Sequence, residues 1–269
     1  MTDKINTRYA VPEIFLKKNK SKIVSLSCYT AQIAKIADKY ADIILVGDSM
    51  GMVIYGQKNT LSVTKQMMIE HGKAVVNSTK KALVVIDLPF GTYENSKKKA
   101  FKVSSEILSK TGASAVKLEG GIELADTINY LVERGIPVMG HIGLMPQRIN
   151  IKGKFITQGH SSLEVKKVIT DAKSIASAGV FSMVVEAVKE SLGKKVTNSV
   201  SVPTIGIGAG KYCDGQILVT NDMLGLSNNF TPKFVKKYAN LYSDIDEAIE
   251  TYKNEVLNGK FPSAKNIYN

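Results

Sequence analysis

The sequence predicts an α/β protein of the (β/α)8, or TIM, barrel class with an extra helix near its C-terminal end. Three observations carry that prediction: eight apolar runs of strand length, helix-period segments between most of them, and one composition from end to end. A closed barrel leaves no unpaired edge strand, which favours it over an open doubly wound sheet. With 269 residues, 44% hydrophobic and 22% charged, the chain has a globular composition that excludes disorder and collagen-like repeats. About 250 residues routinely make a single barrel. Residues 1–269 are therefore expected to form one domain, continued by a helical extension from about residue 232.

The candidate strands are, in order, 23–29, 43–47, 82–88, 115–119, 137–142, 181–187, 202–207 and 216–220. They are continuously apolar rather than alternating, as parallel strands covered on both faces should be. Between the fourth and fifth, Leu124, Ile128, Leu131 and Val132 form a helical stripe closed by Gly135. Before the sixth, Ser161 and Glu164 have capping-box spacing, and the helix that follows (Val165, Val168, Ile169, Ala172, Ile175, Ala176) stops at Gly179. The seventh and eighth runs lie too close together for a full crossover helix. Beyond the eighth, Ile245, Ala248, Ile249, Tyr252 and Val256 mark an amphipathic helix over 244–257, ended by Gly259.

The net charge of +12 raises the question of a polyanionic partner. Only Arg8, Arg134 and Arg148 are arginines, however, and the lysines are spread rather than gathered in one stripe, so no nucleic-acid partner is expected. The clusters Lys17, Lys18, Lys20 and Lys97, Lys98, Lys99 read as solvated helix ends or faces. No apolar run approaches the roughly 20 residues of a membrane span, and residues 1–20 lack a secretory pattern, so a cytoplasmic protein with no membrane partner is expected. Cys28 and Cys213 are too few for a disulfide framework and read as reduced thiols.

In barrel enzymes the chemistry lies at the C-terminal ends of the strands. There the sequence places Asp48 and Ser49 after the second run, Asp87 on the third, Lys117 and Glu119 on the fourth, His141 on the fifth and Glu186 on the sixth. Each has an ordinary structural explanation when taken singly: an Asp cap or turn, a Lys117–Glu119 pair on one strand face, a hydrogen-bonded core histidine. Five consecutive strands each delivering an ionisable group are harder to explain that way. Carboxylates converging at one mouth suggest a hard cation, and magnesium, held by one or two carboxylates and completed by substrate and water, fits Asp48 and Asp87. Zinc fits less well, because His71, His141 and His160 have no metal-motif spacing. The glycine run 206–210 lacks the following helix of a dinucleotide fingerprint and reads as backbone that approaches a ligand closely.

Several stretches carry a closer resemblance. They are Val46-Gly47-Asp48-Ser49-Met50-Gly51-Met52-Val53, Asp87-Leu88-Pro89-Phe90-Gly91-Thr92-Tyr93, Ala115-Val116-Lys117-Leu118-Glu119-Gly120-Gly121 and Pro137-Val138-Met139-Gly140-His141-Ile142-Gly143-Leu144-Met145-Pro146-Gln147. Val185-Glu186-Ala187-Val188, Ile205-Gly206-Ile207-Gly208-Ala209-Gly210 and Cys213-Asp214-Gly215-Gln216-Ile217-Leu218-Val219 complete them. In these the chain resembles the ketopantoate hydroxymethyltransferase family. The resemblance implies a barrel of the phosphoenolpyruvate/pyruvate-binding type and a step of pantothenate biosynthesis. In that step methylene-tetrahydrofolate, as co-substrate, gives a hydroxymethyl group to 3-methyl-2-oxobutanoate, yielding 2-dehydropantoate. It implies Asp48 and Asp87 as magnesium ligands that also face the substrate, Glu119 as a further acidic group at the metal, and Ser49, Lys117 and His141 as substrate contacts. Glu186 is implied as the catalytic base, its basicity helped by the apolar run before it. A large homo-oligomer, of decamer size, is implied as well.

The chain departs from the family pattern at Thr30, over 55–60, at His160 and at 261–264, none of which removes a proposed ligand or base. Two other readings remain open from the residues. One is a lyase or mutase acting on another 2-oxo acid in the same barrel, and the other is a non-catalytic binding barrel.

Overall fold

The computed structural model describes residues 8–226 and 231–268. The chain divides into two compact units, 1–219 and 220–269. In the first, eight parallel strands close into a barrel in sequence order, β1 to β8, with β8 paired back onto β1. They are β1 Ile23–Ser27, β2 Ile43–Val46, β3 Leu83–Asp87, β4 Ala115–Lys117, β5 Val138–Gly143, β6 Ser182–Glu186, β7 Thr204–Ile207 and β8 Gly215–Val219. Each falls on an expected run. Most are shorter than the run at their C-terminal end, because there the chain leaves the ladder to build the mouth.

The helices of this unit are α1 Val11–Phe15, α2 Ala31–Ala37, α3 Met50–Val53, α4 Lys65–Ser78, α5 Lys97–Thr111, α6 Ala125–Val132, α7 Ile149–Lys152, α8 Ser162–Ser177 and α9 Glu190–Ser199. Their ends follow local chemistry. Thr64 accepts from the Met67 amide (3.2 Å) to start α4, and Gly112 at φ +74° closes α5. Ser161 accepts from the Glu164 amide (3.2 Å) as expected, but the Glu164 carboxylate turns to the amides of Gly159 and His160 instead of closing a capping box on Ser161. No helix joins β7 to β8, as their spacing required.

Two apolar layers result. Ile44, Val46, Val84 and Ile86 face the helices, while Ile43, Leu45, Leu83, Val85, Ala115, Met139 and Val184 fill the barrel. Both faces are apolar, so the period-two alternation of each strand is hidden in the sequence. Inside, it decides the site: Asp87 is two residues beyond Val85, Lys117 two beyond Ala115, His141 two beyond Met139 and Glu186 two beyond Val184. The ionisable groups are the top layer of the barrel filling.

The opposite end is closed by α1, whose Ile14 is fully buried against the barrel-filling layer and contributes about 2 kcal/mol by burial. Next to it Lys18 pairs with Asp214 at 2.8 Å, and Asp214 also accepts from the Thr204 amide (2.9 Å) and hydroxyl (3.0 Å). Lys17 pairs with Asp42 at 2.7 Å. This basic cluster is thus ion-paired in part rather than wholly solvated.

The second unit contains α10 Thr220–Met223 and α11 Leu241–Leu257, which begins three residues before the expected helix. Tyr252 of α11 packs edge to face on Phe261, ring centroids 5.4 Å apart. Among the described residues no helix is long and apolar enough to cross a membrane.

Candidate active site

Strand register sets the first contact at the mouth. Asp87 and Lys117 are register partners on β3 and β4, and Lys117 Nζ lies 2.9 Å from Asp87 Oδ1 with both side chains 4% exposed. Asp87 Oδ2 accepts from the Asp48 amide (3.0 Å), which fastens the turn leaving β2. A Cβ on Gly47 in that turn would stand 2.9 Å from Ser49 Oγ and would push the Ser49 side chain aside. Ser49 in turn shares a 2.7 Å hydrogen bond with the Tyr29 hydroxyl, from the loop after β1.

His141 links the two halves of the cluster. Its Nδ1 faces Lys117 Nζ at 3.2 Å and Glu119 Oε1 at 3.5 Å, and its Nε2 stands 3.1 Å from Glu186 Oε2. With Nδ1 unprotonated the ring accepts from Lys117, and as imidazolium it donates to both carboxylates. Burial and Lys117 both disfavour the imidazolium, but Glu119 and Glu186 outweigh them and raise the ring to about 9. Glu186 is therefore not a carboxylate in an apolar surround, as the run Met183, Val184, Val185 suggested, but one partnered by an imidazole. It is also the more open: its side chain is 18% exposed, against 4% or less for Asp87, Lys117, Glu119 and His141.

The remaining electrostatics follow from crowding. Burial first, then the charges of Asp87 and Glu119, push Asp48 well above the usual carboxylate range. Asp87 is raised by burial despite Lys117. Glu119 goes down, because His141, Lys117 and the Gln147 amide more than offset its burial. Burial opposes the Lys117 ammonium, but Asp87, Glu119 and Asp48 together raise it. Negative charge is thus in excess around Asp48, which needs a proton or a cation.

The donor set suits a hard divalent cation. Among the described residues no three His, Cys, Asp or Glu side chains are arranged to ligate one ion. A cation here would take one or two carboxylates from the protein and complete its shell with water and substrate, which is the habit of magnesium. Asp48 and Asp87, adjacent and charge-crowded, are the residues able to hold it.

All seven expected residues lie at this mouth, six in one network of which all but Glu186 are buried, and Ser49 beside Tyr29. Sequence reasoning passed over Gln147 and Tyr93, which bond to that network, because neither titrates near neutrality. It also passed over Ala187, which holds φ +47° directly after Glu186, a strained conformation for a residue with a Cβ. Gly143, at φ +92°, lies where a Cβ would run into the Glu186 carbonyl, so β5 approaches β6 closely beside Glu186. In the glycine run, a Cβ on Gly210 would run into the Glu190 side chain on α9.

The family model for ketopantoate hydroxymethyltransferase matches residues 8–264. Curated proteins named 3-methyl-2-oxobutanoate hydroxymethyltransferase are similar along nearly all of the chain. That of Sinorhizobium fredii is 50% identical over 251 residues (93% of this chain, 92% of the relative). That of Rhizobium etli is 48% identical over 261 residues (97% and 96%). Among solved structures, 2,3-dimethylmalate lyase, a member of the PEP mutase/isocitrate lyase superfamily, superposes with a TM-score of 0.63 at 14% identity, covering 93% of this chain and 90% of that one. Phosphonopyruvate hydrolase, in complex with oxalate and Mg++, gives 0.62 at 12% identity, covering 96% and 93%. These structures share the fold, whereas the family model and the curated relatives match nearly the whole length of the chain, and by that similarity the chain belongs to the ketopantoate hydroxymethyltransferase family.

Proposed function

We propose that this enzyme transfers a hydroxymethyl group from methylene-tetrahydrofolate to 3-methyl-2-oxobutanoate, giving 2-dehydropantoate, and that Glu186 is its base. The observation that carries the assignment of the base is the exposure of Glu186, the carboxylate of the network most open to an incoming substrate. Asp48 and Asp87 would hold magnesium, with Glu119 behind them acting through water. When bound there, the ion would supply Lewis acidity to the 2-oxo acid, making the C3 proton easier to remove.

The chain's own residues do the rest. Lys117, kept cationic by its carboxylate neighbours, offers fixed positive charge to the carboxylate and developing enolate of the substrate. Ser49, placed by Tyr29, supplies a hydroxyl at the same rim. Glu186 removes the proton from C3, and the electron pair left behind forms the new bond to the folate methylene carbon. Both carbon–nitrogen bonds of that methylene break, water supplies the hydroxyl, the C3 proton and one water proton end on the two folate nitrogens, and tetrahydrofolate departs. His141 orients Glu186 through Nε2. No protein nucleophile is needed.

The family resemblance supports a large cytoplasmic homo-oligomer as the working form. The test of activity is direct: formation of 2-dehydropantoate from 3-methyl-2-oxobutanoate and methylene-tetrahydrofolate, with and without magnesium. Product that requires both co-substrates and the metal supports the reading, and turnover of the oxo acid without folate contradicts it.

A further inference from the structure

Gln147 lies in a 3-10 turn, Pro146–Arg148, just beyond β5, and is 4% exposed. Its backbone amide donates to Glu119 Oε2 (3.0 Å). Its side-chain Nε2 donates to Asp48 Oδ2 and to the Leu88 carbonyl, both at 2.9 Å, and its Oε1 accepts from the Tyr93 hydroxyl at 2.6 Å. Two acceptors on one side of the amide and a hydroxyl on the other settle which end is the NH2. Tyr93 is held in turn, because its oxygen accepts from the Glu119 amide (3.2 Å) while its single proton goes to Gln147. The bonds form a closed ring, Glu119 backbone to Tyr93, Tyr93 to Gln147 and the Gln147 backbone back to the Glu119 carboxylate, from which the Gln147 side chain reaches out to Asp48.

We propose that Gln147, oriented by Tyr93, is a positioning residue that sets the affinity of the site for its divalent cation. By engaging Oδ2 of Asp48 it fixes the carboxylate's rotation and leaves Oδ1 to meet the ion. By holding Glu119 through its own backbone it keeps a second carboxylate at a set place behind the first. Without the Nε2 donor, Asp48 Oδ2 and the Leu88 carbonyl lose a buried partner, and the Asp48 carboxylate is free to turn. Partners of this kind are typically worth about 10- to 100-fold in metal affinity. The inference rests on the assignment of the metal to Asp48 and Asp87.

Magnesium binding is measured by calorimetry, and manganese binding by electron paramagnetic resonance, with no oxo acid or folate present. The proteins are the native enzyme, Gln147→Met, Tyr93→Phe, the double variant, and Asp87→Asn as the control for the metal site, each with its circular dichroism. Gln147→Met should weaken the ion about 10- to 100-fold in a folded protein, and Tyr93→Phe should weaken it less. The double variant should bind no more weakly than Gln147→Met alone, since Tyr93 acts through Gln147. If the native enzyme binds and Asp87→Asn does not, but Gln147→Met binds within twofold of native, the inference is overturned and the metal assignment stands. If Asp87→Asn binds as the native enzyme does, the metal assignment itself fails. Should Gln147→Met not fold, Tyr93→Phe, which removes one oxygen, decides: native affinity in that variant overturns the inference.

Discussion

His141 and Glu186 meet across the seam between β5 and β6, Nε2 to Oε2 at 3.1 Å, and their contact joins the buried half of the mouth to its open half. On one side of the ring lie Lys117 and Glu119, shielded from water. On the other is a carboxylate that a substrate can reach. The imidazole therefore feels the charge state of the whole cluster, and this gives it a measurable pH signature.

The His141 ring is raised to about 9, whereas an imidazole in the unfolded chain titrates near about 6.5. Protonation therefore stabilises the fold. That contribution is complete below about pH 6.5 and is lost as pH rises through about 9. Thermal melts of the metal-free protein, in chelator, should show a melting temperature that falls over this window, and His141→Gln should show a flatter profile. Parallel profiles for the two proteins would remove His141 from the titration.

Asp87→Asn should abolish or greatly weaken magnesium binding and activity in a protein that still folds but is less stable, because it opens no cavity yet leaves the buried Lys117 ammonium without its nearest carboxylate. Metal titration by calorimetry with circular dichroism on the same samples checks both halves. Unchanged metal affinity would move the ligand role away from Asp87.

The barrel was legible because its strands are eight apolar runs at helical separations, a signal that survives even when their exact ends do not. The alternation inside each strand was not, since residues such as Leu45 and Val46 are apolar on both faces. The titratable members of the site stood out as charges placed on buried runs. Gln147 did not: it is uncharged, and its partner Asp48 is 99 residues away in the chain, so only folding reveals the bond. The imidazole beside Glu186 was hidden for the same reason, because the apolar neighbours of Glu186 in sequence are not its neighbours across the ladder.

At the closed end of the barrel, Asp214→Asn should destabilise the protein by about 3 kcal/mol, leaving the largely buried Lys18 ammonium without its carboxylate. Burial works against the charged carboxylate, but Lys18 and Thr204 more than offset it and hold Asp214 below the usual range. Its stabilising contribution is complete well above about pH 4 and is lost as pH falls through its lower native value. Urea titrations at neutral and acid pH measure both effects, with the difference between native and variant shrinking in acid. A difference of under about 0.5 kcal/mol at neutral pH would show the pair to be energetically idle.

The central claim is that Glu186 takes the C3 proton, and hydrogen exchange at that carbon tests it most directly. With magnesium and 3-methyl-2-oxobutanoate in deuterated buffer, the native enzyme should wash deuterium into C3. Glu186→Gln, which keeps size and polarity but cannot accept the proton, should bind substrate and metal as before and exchange about 10² to 10⁴ times more slowly. Exchange within a few-fold of the native rate, at unchanged substrate binding, would contradict the account and make His141 the base to test next.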